Sequence, residues 1–129
     1  MPVRGELTSD AVADLQRYTA SGNLALFLAK LVRLEDVGKA AGLPLGGDLA
    51  GWRKIVVGDR NWRIIFTMSP DETVARVWVI GDRADAECYA EAAQRVARLG
   101  KERPEAVSLA TVMFDLVRRR SSARQPRKT

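Results

Sequence analysis

A chain of 129 residues, 47% hydrophobic and 29% charged, is sized and composed for one folded domain, which excludes a wholly disordered protein. It has no histidine and one cysteine, Cys88. That excludes histidine-based acid–base and nucleophile systems, histidine metal sites, an internal disulfide and a thiolate metal cage. The formal charge is +5, but six of the 21 bases lie in residues 118–129, where there is no acid. The other 117 residues carry 15 bases against 16 acids, so any nucleic-acid site in the body must be a local patch.

No apolar run approaches the length of a membrane span, and the opening Met1-Pro2-Val3-Arg4-Gly5-Glu6 has no apolar signal core. A cytoplasmic protein without membrane association is expected. There is no P-loop and no GxGxxG, and neither a cofactor nor a metal is expected. Chemistry, if any, must come from Lys, Arg, Tyr and carboxylates.

Residues 3–7 predict a short strand. Thr8-Ser9-Asp10 offers capping residues to a helix whose apolar face holds Val12, Leu15 and Tyr18. Ser21-Gly22-Asn23 breaks it. A second helix is predicted from about Leu24 to Ala41, with a stripe of Leu24, Phe27, Leu28, Leu31 and Leu34, closed by Gly42 and Pro44. Residues 42–51 hold four glycines and read as loop.

Three strand-like runs follow: Trp52 to Val57, Trp62 to Met68, and Thr73 to Ile80. The turn residues Gly58-Asp59-Arg60-Asn61 and Ser69-Pro70-Asp71-Glu72 join them into an antiparallel meander. A helix is predicted over Ala84 to Leu99, ended by Gly100. Pro104 opens a last helix to about Arg119, with Val107, Ala110, Phe114 and Val117 on one side. Residues 121–129 read as a disordered basic tail. The expected class is α+β, with two N-terminal helices packed on one face of a small antiparallel sheet, then a helix and an extra C-terminal helix. The other sheet face is expected to stay partly free.

Side chains alternate across a strand. If Ile55, Val57, Ile64 and Phe66 face the helices, Lys54 and Arg63 point to the free face. Arg83 lies just past the third run, and Tyr89 is six residues further on. For Trp52, Trp62 and Trp78, packing is expected ahead of base stacking.

The run from Gly51 to Phe66, the segment Val79-Ile80-Gly81-Asp82-Arg83, and Asp85 to Tyr89 with the helix after it resemble RelE-type toxins of the RelE/ParE superfamily. Leu7 to Leu15 resembles that family's first helix. The resemblance covers roughly residues 3–99 and implies a toxin domain over 1–99, followed by an additional C-terminal helix over 100–120 and the tail over 121–129.

The resemblance implies a metal-independent endoribonuclease that cuts mRNA in the ribosomal A site, the RNA 2′-hydroxyl attacking the adjacent phosphate. Lys54 would then assist the 2′-oxygen, and Arg63 would stabilise the phosphorane. Arg83 would neutralise the leaving 5′-oxygen, and Tyr89 would orient a base. Arg53, Arg60, Arg118, Arg119 and Arg120 are candidate RNA contacts, although Arg53 should point to the opposite sheet face from Lys54. The implied partners are an antitoxin protein, the ribosome and mRNA. A homodimer and a toxin–antitoxin hetero-oligomer are both compatible. The ribonuclease branch often has a second lysine two residues after the first, where this chain has Val56. The ParE branch, which poisons DNA gyrase, and a catalytically degenerate RNA-binding member therefore stay open.

Overall fold

The computed structural model describes residues 2–18, 23–45, 51–58, 62–81, 85–99 and 104–124, without the side chains of 85, 86 and 119–124. Strand β1 (Arg4–Thr8) runs directly into helix α1 (Ser9–Gln16). The junction is made by Thr8, whose Oγ1 accepts the Ala11 N–H at 3.2 Å and satisfies an orphan donor of the first turn.

Helix α2 (Leu24–Val37) buries Phe27, Leu31 and Leu34, with Leu24 and Leu28 half-buried beside them, as the predicted stripe requires. The α-helix stops before Ala41. Gly38 takes φ 65°, accessible to a residue without Cβ, and a 3₁₀ turn (Gly38–Ala41) completes the segment.

Among its described residues the glycine-rich stretch contains one short element, β2 (Leu43–Pro44), paired with β3 (Trp52–Val57). Proline is tolerated there because β2 is the edge of the sheet. Gly42 allows the approach: a Cβ on it would lie 2.7 Å from both the Lys54 carbonyl and the Phe66 ring.

Strands β3, β4 (Trp62–Met68) and β5 (Val74–Gly81) form the predicted antiparallel meander. Helix α3 (Asp85–Leu99), strand β6 (Ala106–Ser108) and helix α4 (Leu109–Arg124) complete the described chain. The fold is α+β, with four helices on a six-stranded sheet in the order β2-β3-β4-β5-β1-β6. The sheet is larger than expected and not wholly antiparallel. β1 lies parallel to β5, because the chain crosses the helical layer and the meander before returning beside it.

The sheet is covered on both faces. One cluster joins α1, α2 and α4 to Ile55, Val57, Ile64 and Phe66, as the alternation predicted. A second places Cys88 and Ala92 of α3 on Ile65, Trp78 and Val79. The face expected to stay partly free is thus partly roofed by α3, and Val56, 41% exposed, marks where the roof ends. A β-bulge explains how the second cluster forms. Ile65 pairs with Val79 and Phe66 with Val77, so Trp78 is the extra residue and turns to the same face as Val79. All three tryptophans pack. The Trp62 ring lies 5.5 Å from Phe27, and Trp52 lies 5.5 Å from Trp78.

The C-terminal segment differs from its expectation. Residues 106–108 are strand, because they pair with the edge of β1. The helix starts at Leu109 and runs to Arg124, into the stretch read as tail; residues 125–129 lie outside the described residues. Its packed stripe is Leu109, Val112, Met113 and Leu116. The expected stripe of Val107, Ala110, Phe114 and Val117 is exposed.

The β4–β5 turn is closed by Asp71. Its Oδ1 accepts from the Ser69 hydroxyl at 2.7 Å, the Thr73 N–H at 3.1 Å and the Thr73 hydroxyl at 2.7 Å. The Ser69 and Thr73 hydrogen bonds hold the Asp71 carboxyl down at about 2, from an ordinary value near 3.8. A depressed folded value means that the turn's contribution to stability is complete above pH 3.8 and is lost as pH falls through 2. An NMR titration of the Thr73 amide should therefore show its transition near pH 2 in the native chain, and none in Asp71→Asn.

Candidate functional site

The register of the meander decides which side chains share a face. Lys54 pairs with Ile65, and Val56 pairs with Arg63. Lys54 and Arg63 are therefore diagonal neighbours, about 7–8 Å apart between Cα atoms, on the face opposite the α1–α2 layer. Both are half-buried. Arg63 Nη1 donates to the Trp62 carbonyl at 3.1 Å. Tyr89 is half-buried at the margin of the cluster that contains Ile65, the cross-strand partner of Lys54. Lys54, Arg63 and Tyr89 thus belong to one side of the sheet, with exposed Val56 beside Arg63.

The other candidates fall elsewhere. Arg83 and Arg60 lie outside the described residues. Arg53 is on the helix-layer face, as expected, where its Nε donates to the Lys39 carbonyl at 3.0 Å and its Nη2 to Gly42 at 2.9 Å. It clamps the 3₁₀ turn against the sheet. Arg118 is on α4, ion-paired to Asp115 at 2.8 Å. Arg119 and Arg120 are in the same helix, and their side chains are outside the described residues.

An ammonium and a guanidinium fork one strand apart can hold a phosphodiester from two directions. The guanidinium suits a phosphate in-plane through paired N–H donors, and the ammonium acts as a compact point charge. Among the described residues no cluster of metal-ligating side chains occurs, and no helix is long and apolar enough to cross a membrane.

The site rests on a buried ion pair that the motif reading did not single out. The β1–β5 ladder ends at Leu7 and Val77. Beyond it, Asp14 Oδ2 of α1 takes over and accepts the Ile80 N–H at 3.0 Å. Arg95 of α3 donates to Asp14 Oδ2 at 2.6 Å and to Oδ1 at 3.0 Å, and its Nη1 also reaches the Trp78 carbonyl at 2.7 Å. Arg17 and Glu91 flank the pair. Burial alone would lower the Arg95 guanidinium, but the hydrogen bond and charge of Asp14, with the charges of Glu91 and Asp10, raise it overall. This network ties α1, the end of β5 and α3 together, and so sets the position of the helix that carries Tyr89. A signal for it existed: Asp14 sits beside Leu15 between the buried positions of α1, and Arg95 follows Cys88 and Ala92 along one stripe of α3.

No protein-family model and no curated protein matches the chain. Solved structures do. A double arginine-to-alanine mutant of the E. coli toxin RelE in the free state aligns at 20% identity and TM-score 0.61, over 74% of this chain and 99% of that one. The toxin–antitoxin complex RelBE2 from Mycobacterium tuberculosis aligns at 20% identity and TM-score 0.54, over 64% and 100%. The YoeB/ParE toxin from Agrobacterium tumefaciens aligns at 15% identity and TM-score 0.52, over 63% and 99%. These chains are matched almost end to end, while a quarter or more of the present chain extends beyond the match. The chain therefore has the fold shared by RelE-type and YoeB/ParE-type toxins.

Proposed function

We propose that this chain is a RelE/ParE-superfamily toxin of a type II toxin–antitoxin pair, and that it cuts mRNA on the ribosome. The observation that carries the reading is the placement of Lys54 and Arg63 as diagonal neighbours on one sheet face, with Tyr89 at its margin. In the proposed reaction the RNA 2′-oxygen attacks the adjacent phosphorus and its proton leaves. The bond to the 5′-oxygen breaks, and that oxygen takes up a proton. The products are a 2′,3′-cyclic phosphate and a 5′-hydroxyl. Lys54 stabilises the developing 2′-oxyanion, and Arg63 the crowded phosphorane. Arg83 neutralises the leaving oxygen; its role is electrostatic, because a guanidinium is a poor acid. Tyr89 orients a base of the codon.

Residues 1–99 form the toxin domain proper on this reading. Arg60 near the meander and Arg118, Arg119 and Arg120 in α4 contact RNA backbone, whereas Arg53, on the opposite sheet face and bound to the Lys39 and Gly42 carbonyls, braces the fold instead. A protein antitoxin binds the chain and holds it inactive; among the similar structures, RelBE2 is a toxin–antitoxin complex and a RelE mutant is in complex with an antitoxin peptide.

A second reading has one observation in its favour. Val56, exposed at 41%, stands on the candidate face where the ribonuclease branch often carries another lysine. That favours a ParE-like toxin that inhibits DNA gyrase without cutting RNA. Val56→Lys separates the two. A second cation beside Arg63 should raise mRNA cleavage roughly tenfold, ~1.4 kcal/mol off the barrier. In a gyrase inhibitor the same change leaves mRNA intact.

The direct test is brief expression followed by mapping of mRNA 5′ ends on translating ribosomes. Codon-phased ends support cleavage. Intact mRNA with blocked DNA supercoiling moves the assignment to the second reading.

A further inference from the structure

Helix α4 presents two apolar sides, and the fold uses one of them. Leu109 and Val112 are buried in the main core, while Phe114 is 69% and Val117 64% exposed. Phe114 is the largest side chain among the exposed hydrophobics, and water-facing aromatics grouped with other apolar residues mark an interaction surface. They are not isolated. Phe114, Val107, Val12 and Leu15 line a groove of about 390 Å³ between α1, β6 and α4. The groove is on the α1–α2 side of the sheet and at the β6 edge, away from Lys54 and Arg63 on β3 and β4.

Charge says what fits it. Past Val117 the chain continues with Arg118, Arg119, Arg120, Arg124, Arg127 and Lys128 and no acid. Arg118 lines the groove end and is held by an exposed ion pair to Asp115 at 2.8 Å. Exposed pairs contribute little, so a partner carboxylate can replace Asp115 there. A second copy of this chain is a poor occupant. Residues 106–114, which would lie beside the arginine run in an antiparallel pair of α4 helices, contain no acid, and a parallel pair would set arginine run against arginine run.

We propose that this groove receives an acidic amphipathic helix from a partner protein. Its apolar residues, at i, i+3 or i+4, and i+7, cover Phe114 and Val117, and a carboxylate pairs with Arg118 at the end of the groove. Identifying that helix as part of the antitoxin rests on the toxin reading. The existence of the groove and its preference for acidic helices does not.

The test uses the full ¹⁵N-labelled chain and two synthetic peptides of about 20 residues, long enough to hold helix in water. Both carry leucine at i, i+3 and i+7. One has glutamate and the other lysine at the remaining charged positions. The acidic peptide should shift the amides of Val12, Val107, Thr111, Phe114 and Val117, bind more weakly as salt is raised, and lose about tenfold or more of its affinity to Phe114→Ser. Because Phe114 is exposed, that variant keeps the fold, and its native amide spectrum checks this. No shift with the acidic peptide, equal binding of the lysine peptide, or unchanged affinity in Phe114→Ser overturns the proposal. So does a dimer of the chain alone, seen in sedimentation and abolished by Phe114→Ser. Phe114→Ser should cut mRNA as the native chain does. Peptide binding without any mRNA cleavage by the native chain sinks the ribonuclease reading and leaves the groove standing.

Discussion

Arg63→Ala should lower mRNA cleavage by about 100- to 1,000-fold, the cost of removing one donor aimed at charge that develops in the transition state. On the proposed reading the effect should fall on the chemical step, because a fork aimed at the phosphorane acts more strongly on the transition state than on ground-state RNA. Single-turnover cleavage against ribosome concentration separates the two: the plateau rate drops, and the half-saturating concentration changes little. The variant should remain folded. Arg63 is half-buried and its Nη1 donates to the carbonyl of its own neighbour, Trp62, and a native amide spectrum of the variant checks the fold. Arg63→Lys should recover only part of the rate, since an ammonium cannot reproduce the fork on phosphate. Equal cleavage by native chain and Arg63→Ala would remove Arg63 from the mechanism.

The largest expected loss of stability comes from Asp14→Ala. The carboxylate accepts from Arg95, Arg17 and the Ile80 amide, and its removal leaves the Arg95 guanidinium, 7% exposed, buried without its main counter-charge. Breaking one partner of a buried pair costs about 3–5 kcal/mol. For a chain of this size that lowers the midpoint of thermal unfolding by roughly 10–20 °C. Arg95→Met should cost less, because Arg17 and the Ile80 amide still serve the Asp14 carboxylate. The double variant Asp14→Leu/Arg95→Met should be markedly less destabilised than the sum of the singles, because two apolar side chains can fill the space of the pair. Additive losses in calorimetry would show that the two residues act separately. The double variant also has a kinetic consequence. The Ile80 amide loses its acceptor at the end of β5, so α3 and Tyr89 lose their fixed position even where stability recovers.

Much of this fold could be read from the sequence because local and tertiary signals agree there. The meander strands combine β-branched and aromatic runs with glycine and Ser-Pro-Asp turns, and β3 and β4 have the bounds expected of them. The apolar spacing of α2 identified its buried stripe because one stripe faces one sheet. The misses have different causes. Trp78 and Val79 share a face only because a bulge interrupts the period of two, and a bulge depends on how the partner strand pairs. β6 is three residues long and exists because β1 offers an unpaired edge, a tertiary fact. α4 runs past its expected end, to Arg124; a basic run reads equally as helix or tail. Its two apolar stripes look alike in sequence, and only packing shows that Leu109 and Val112 are the buried ones.

The candidate site divides in the same way. Alternation placed Lys54 and Arg63 together, and the register agrees. The Asp14–Arg95 pair joins residues 81 positions apart, beyond the reach of any local pattern.

RNA cleavage by the Lys54–Arg63 face can be read out in a purified system. It is tested most directly by mixing the purified chain with ribosomes carrying a defined mRNA and a vacant A site, without added metal beyond that needed by the ribosome. The chain should cut the mRNA within the A-site codon and leave a 2′,3′-cyclic phosphate and a 5′-hydroxyl, and Lys54→Ala with Arg63→Ala should abolish the cut. Intact mRNA with the native chain, in a preparation that blocks supercoiling by gyrase, would contradict it.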